Sequence, residues 1–163
     1  MTLRVLTVCL GNICRSPAAA AAIREAAETF DVDVEVDSAG TGTWHIGQSP
    51  HPESVAAGKR VGLEVTGRGR TVNSADFDRF DIIVAMDQSN MRDLKAMTPS
   101  LEAQAKVRLF RTYDPFSEED EVPDPYGGPS EGYDEMIRIV RAAAAGMMET
   151  LSSLGVEDPI PVD

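Results

Sequence analysis

Short apolar runs separated by stretches of helical composition constrain this chain more than any other feature. Residues 3–8 (LRVLTV) and 82–86 (IIVAM) are apolar at nearly every position and carry β-branched side chains. A strand wet on one face alternates, whereas one buried on both faces reads as a continuous run like these. Residues 32–40 (VDVEVDSAG) alternate and end in a turn, and residues 107–110 form a fourth, shorter run. Between them, the alanine-rich stretch 17–29 places Arg24 and Glu25 for solvent, with Ser16 fitting an N-cap and Pro17 the first helical position. Residues 52–61, stopped by Gly62, residues 89–97, stopped before Pro99, and residues 131–154 read as further helices, with a helical turn at 76–80. Strands joined through helices predict an α/β fold with a parallel sheet covered on both faces. The stretch 112–130, with four prolines and two adjacent glycines, is too long for a simple connector, and such loops are often functional.

At 163 residues, 42% of them hydrophobic, the chain has material for one core, so a single domain over 1–163 is expected. Fifteen basic against 27 acidic side chains give a net charge of −12, with acids clustered at 118–121. A field of that sign repels nucleic acid, and no nucleic-acid partner is expected. The chain does not begin with a basic leader and a long apolar stretch, and nothing approaches the ~18 consecutive apolar residues of a membrane span. A cytoplasmic protein with no membrane insertion is therefore expected. Cys9 and Cys14 are the only cysteines, and nothing completes a zinc set with them, so no metal or other cofactor is called for. A reduced, reactive thiol is the reading that remains.

The acidic surface also repels a phosphate dianion, which makes the placement of Arg15 more informative than the total charge. Ligands of open parallel sheets bind beyond the carboxyl ends of the strands, and the first strand ends at Cys9. The segment Leu10-Gly11-Asn12-Ile13 then leads into a helix N-terminus, whose free N–H groups and dipole favour an anion. Gly11 and Asn12 are residue types that tolerate left-handed backbone, so the loop is able to curl and point successive amides inward. The expected result is a phosphate-sized cradle with Cys9 at its base and Arg15 at its rim, the planar guanidinium holding two oxygens at once. Amides, dipole and guanidinium together stabilise a thiolate, which makes Cys9 a nucleophile. The lysine and spacing of a nucleotide P-loop are absent.

Residues 9–17 (CLGNICRSP), 37–41 (DSAGT), 85–87 (AMD) and 124–127 (DPYG) together closely resemble the low-molecular-weight protein tyrosine phosphatase family, bacterial type, over nearly the whole chain. The resemblance implies a three-layer sandwich: a central four-stranded parallel sheet, helices on both faces, and the phosphate-binding loop after strand 1. It also implies metal-free hydrolysis of phosphotyrosine in proteins. Cys9 would attack phosphorus and form a phosphocysteine, Arg15 and the loop amides would stabilise the equatorial oxygens, and an aspartate would protonate the leaving phenolate and then activate water. Asp114 and Asp124 both precede proline in the long loop, and the residues alone leave the choice open; the family's Asp-Pro-Tyr motif points to Asp124. By the same match the phosphate-binding loop comprises Leu10, Gly11, Asn12, Ile13, Cys14 and Ser16, supported by Ser38. Trp44 and Tyr126 resemble aromatic walls that grip a flat phenyl ring.

Cys14, five positions from Cys9, is near enough for a reversible disulfide that would block catalysis and protect the nucleophile; its other reading is a small packed residue. His45 is placed to line the cleft, His51 between two prolines reads as a surface residue, and Arg68 and Arg70 as solvated. Three positions depart from the family pattern. Ala20 replaces a common glutamate. Gly67 replaces a histidine that supports the loop asparagine, implying a less firmly held Asn12, and Gly127 replaces a second tyrosine of the aromatic wall. Other activities suit the same loop. A thiol-relay arsenate reductase needs cysteines after Cys14, and none occurs. A phosphoarginine phosphatase carries threonine at the place of Ile13, whose methyl groups suit an aryl phosphate instead. A non-hydrolysing phosphoryl carrier has no use for Arg15 together with a loop acid. The expected partner is a tyrosine-phosphorylated protein, and a monomer is expected because no helix offers a dimer face.

Overall fold

The computed structural model describes residues 2–154; Met1 and residues 155–163, part of the expected domain, lie outside the described residues. In chain order the elements are β1 (Leu3–Cys9), α1 (Arg15–Thr29), β2 (Val34–Gly40), α2 (Pro52–Arg60), α3 (Asp76–Arg79), β3 (Ile82–Ala85), α4 (Gln88–Ala96), α5 (Leu101–Ala105), β4 (Val107–Leu109), a 3-10 turn (Phe110–Tyr113) and α6 (Ser130–Leu154). The four strands form one parallel sheet in the order β2-β1-β3-β4. β1 pairs with β2 from Leu3 against Val34 to Cys9 against Gly40, and with β3 from Val5 against Ile82 to Val8 against Ala85. The chain leaves β1 toward β2 and returns on the other side to β3, so the strand order reverses beside β1. That reversal opens a crevice at the carboxyl ends of β1 and β3, where the loop after Cys9 emerges.

Helices cover both faces, which is why the β1 run is continuously apolar. Val5 and Cys9 belong to the core shared with α1, α2 and α6, while Leu6 and Val8 belong to the core shared with α3, α4 and α5. The alanine run of α1 is buried from Ala18 to Ala22, so the departure at Ala20 lies within helix packing. Small side chains there and at Ala143 and Ala144 let α1 and α6 approach closely. Two short elements were not anticipated. α5 and the 3-10 turn span five and four residues, too few to show a period, although Ser100 caps α5 by accepting from the Ala103 amide at 3.2 Å. Among the described residues no helix is long and apolar enough to cross a membrane.

Candidate active site

Cys9 ends β1 and is 3% exposed. Of the two residues expected to adopt left-handed backbone, Asn12 does so, with φ 58°. Gly11 serves closeness instead, since a Cβ there would come 3.1 Å from the His45 ring. The Asn12 amide donates to Cys9 Sγ at 3.2 Å, and its side-chain Nδ2 donates to Ser16 Oγ at 2.7 Å and to Ser38 Oγ at 3.0 Å. Asn12 Oδ1 in turn accepts from the Arg70 amide at 2.9 Å. The looser Asn12 expected from Gly67 is therefore corrected: three bonds hold its side chain, and a backbone amide supplies the support. Gly40 closes the loop from behind, where a Cβ would stand 2.7 Å from the Leu10 carbonyl.

Helix α1 starts at Arg15, two residues earlier than the sequence suggests, with Cys14 at the N-cap and no side-chain cap. Ser16 does not cap it. Its hydroxyl stands 3.1 Å from Cys9 Sγ, and its carbonyl accepts from Thr7 Oγ1 at 2.7 Å. The first-turn amides and the positive end of the helix dipole are thus left at the loop, the arrangement that favours an anion.

Arg15 was expected at the rim, yet it is 3% exposed. Its Nη1 donates to Asp87 Oδ2 at 2.7 Å and to the Val122 carbonyl at 3.0 Å, and Nη2 lies 3.7 Å from Asp124 Oδ2. Asp87 lies two residues beyond the buried end of β3 and also caps α4, accepting from the Asn90 amide at 2.8 Å. Val122 donates to the Met86 carbonyl at 2.8 Å, which pins the long loop onto the end of β3. One guanidinium therefore ties α1, β3 and the loop of Asp124 together. Of the two Asp-Pro candidates, Asp124 lines the cleft, whereas Asp114 accepts from the Phe116 amide at 2.9 Å in a local turn away from it.

The cleft has a volume of about 260 Å³, with Cys9, Arg15 and Asp124 among its lining and Leu10, Ile13, Trp44 and Tyr126 making it apolar and aromatic. Trp44 is 66% exposed, a rim residue rather than a core one. His45 lines the cleft as expected. His51 does not behave as a surface residue: its ring stacks on Tyr133 at 5.3 Å, meets the edge of Tyr126 at 5.7 Å, and accepts from the Glu53 amide to cap α2. Cys14 is buried and both cysteines are free thiols. Burial first, then the nearness of Cys9 and Asp124, pushes the Cys14 thiol up to about 12 against the opposing help of a Tyr133 hydrogen bond and Arg15.

The family model for low molecular weight phosphotyrosine protein phosphatases matches residues 4–156. The chain belongs to this family. It is 41% identical over 152 residues to a low molecular weight protein-tyrosine-phosphatase of Streptomyces coelicolor, covering 91% of this chain and 93% of that protein. Against a low molecular weight phosphotyrosine protein phosphatase of Sus scrofa the identity is 36% over 149 residues, covering 87% of this chain and 94% of that one. A crystal structure of an Entamoeba histolytica protein tyrosine phosphatase with Hepes in its active site superposes with a TM-score of 0.89 at 35% identity, over 93% of this chain and 97% of that one. The family expected from the loop and its companion motifs is the family found, and so is the enzyme class, a phosphatase.

Three features of this family member escaped the sequence reading. Asp87 was quoted within residues 85–87 but had no role; an acid at the carboxyl end of a buried strand was the available signal. Arg70, read as solvated, spans Asp37 through Nε and the 2% exposed Asp76 through both terminal nitrogens, each bond at 3.0 Å. Nothing local to residue 70 announces two carboxylates from different elements. The Cys14–Tyr133 pairing likewise joins the loop to α6, far along the chain.

Proposed function

We propose that this chain hydrolyses phosphotyrosine in proteins through a phosphocysteine on Cys9. The observation that carries the reading is the convergence of Cys9, Arg15 and Asp124 on one cleft with an aromatic rim. In the first step Cys9 Sγ attacks phosphorus, the ester P–O bond breaks, and the leaving phenolate takes its proton from Asp124. In the second step Asp124 removes a proton from water, the water oxygen attacks phosphorus, the S–P bond breaks, and inorganic phosphate leaves. Arg15 Nη1 is occupied by Asp87 and Val122, which leaves Nη2, beside Asp124, and Nε for two equatorial oxygens of the transferring phosphoryl group. Bonds from the Asn12 amide and the Ser16 hydroxyl stabilise the cysteine sulfur as it leaves in the second step. Leu10, Ile13, Trp44 and Tyr126 offer an aryl group flat apolar surface, which favours phosphotyrosine over phosphoarginine.

The test is hydrolysis of p-nitrophenyl phosphate in excess EDTA. Wild type should turn over, Cys9→Ser should be inactive, and Asp124→Asn should be slower by about 10²-fold or more. A wild type that is inactive in EDTA, or a Cys9→Ser variant that keeps its rate, overturns the reading and brings the carrier function forward. We take the working unit to be a monomer in the cytoplasm; sedimentation at micromolar concentration showing mainly dimer would reverse the first part.

A further inference from the structure

Behind the segment that carries Asp124 lies a second hollow, of about 240 Å³, that the two chemical steps leave unused. Asp124 and Tyr126 line both the hollow and the cleft, so the two are separated by little more than one strand of chain. Pro123, Pro125 and Pro129 form one wall, and Met136 and Ile139 of α6 form the other. The prolines have no N–H to offer. The Pro125 and Pro129 carbonyls are already engaged by the amides of Gly128 and Gly132, at 3.0 and 3.1 Å. What remains is an apolar lining with few free hydrogen-bonding groups. Gly132 keeps it open: a Cβ there would reach Pro125 Cβ at 3.7 Å, so anything longer would occupy the space. The volume falls below the ~300 Å³ at which sites for whole drug-sized ligands begin, and it suits a single side chain.

We infer that this hollow is a specificity subsite for an apolar side chain of the phosphoprotein, within three residues of the phosphotyrosine. The inference rests on the reading of the cleft as a phosphotyrosine site. An extended peptide advances about 3.3 Å per residue and sends alternate side chains to the same side, so a peptide with its phosphotyrosine in the cleft carries a neighbouring side chain across the 124–126 segment. Glu135 also lines the hollow, but both its oxygens are engaged by Arg138, so the lining offers no free cation or donor to an acidic residue of the substrate. The subsite therefore selects for aliphatic residues and against acids.

The experiment measures kcat/KM on phosphotyrosine peptides in which Leu, Phe, Ala and Asp are walked through three positions on either side, with p-nitrophenyl phosphate, too small to span both sites, as a separate report on the chemistry. Wild type should prefer Leu over Ala by about 10-fold at one position and reject Asp there. Gly132→Leu should lose that preference while still hydrolysing p-nitrophenyl phosphate. Ile139→Val, a one-methyl truncation of a core residue that enlarges the hollow, should shift the preference from Leu toward Phe, and it decides the matter if Gly132→Leu does not fold. A wild type that hydrolyses p-nitrophenyl phosphate but treats the whole panel alike overturns the subsite, as does a Leu preference unchanged in the variants that fold. A wild type inactive on p-nitrophenyl phosphate overturns the reading of the cleft itself, and the subsite with it.

Discussion

Arg15 and Asp87 stand 72 positions apart in the chain and meet at 2.7 Å, with the guanidinium 3% exposed. The same carboxylate caps α4 through the Asn90 amide. Replacing it with alanine strands a buried cation and uncaps a helix at once. Asp87→Ala should lower unfolding free energy by about 3 kcal/mol, while Asp87→Asn, whose single acceptor oxygen keeps one of the two bonds, should cost less. Urea midpoints measure this. In the folded fraction, competitive inhibition by inorganic phosphate should weaken in the same order, because the arginine that binds the anion is no longer aimed.

Arg70 plays the corresponding role on the other flank of the loop. Its fork holds Asp37 and the buried Asp76 while its amide holds Asn12. Arg70→Met should destabilise the fold by about 3 kcal/mol by leaving Asp76 buried and unpaired. Arg70→Lys should recover only part of this, since a point ammonium cannot span two carboxylates as a planar fork does. The backbone bond to Asn12 survives either change, so kcat of the folded enzyme should fall less than 10-fold. Thermal unfolding read beside kcat separates the two effects.

The Cys14–Tyr133 pair predicts how stability responds to alkali. Burial comes first among the causes that push Cys14 from 9.0 to about 12 and Tyr133 from 10.0 to about 12. Both groups are acids whose folded values are raised. Between pH 9 and 12 the unfolded chain therefore releases protons that the folded chain retains, and stability falls as pH rises through that window. The slope should approach about 1.4 kcal/mol per pH unit for each group while it lasts. As each group is among the causes of the other's shift, they titrate as a coupled pair. Urea unfolding from pH 8 to 11 should show the fall, and Cys14→Ser with Tyr133→Phe should flatten it. A wild-type stability that is level across this range contradicts the assignment.

Gly146 on α6 should resist the substitution that helix propensity recommends. Alanine is favoured over glycine in a helix by about 1 kcal/mol. A Cβ at this position, however, would overlap the Tyr113 carbonyl of the 3-10 turn that leads into the long loop. Gly146→Ala should therefore destabilise by about 1–3 kcal/mol, the usual range for overpacking. A variant more stable than wild type in denaturant would show that the turn yields freely.

The parts of this protein legible in its sequence are those settled within a few residues. Continuous apolar runs mark strands buried on both faces, and the strand–loop–helix unit of residues 3–29 places a thiol and an arginine around a helix N-terminus without reference to anything distant. Where one side chain had two local options, residue type alone left both open. Ser16 was read both as an N-cap, by residue type, and as a loop residue, by the family match; only the second holds, because Asn12, in its left-handed conformation, brings its side-chain amide within 2.7 Å of a hydroxyl that stands beside Cys9 Sγ.

Residues 9–17 thus determined by themselves the chemistry available to this chain, a thiol set in an anion-binding turn, because loop curvature, helix start and side-chain type are near-neighbour properties. Tertiary structure alone decided how that turn is held and what faces it. Asp87 and Val122 aim Arg15, Arg70 steadies Asn12, and His51 is drawn between two tyrosines. Each of these contacts joins residues brought together only when the strand order reverses beside β1 and the long loop closes over it, and no pattern along the chain encodes such a meeting.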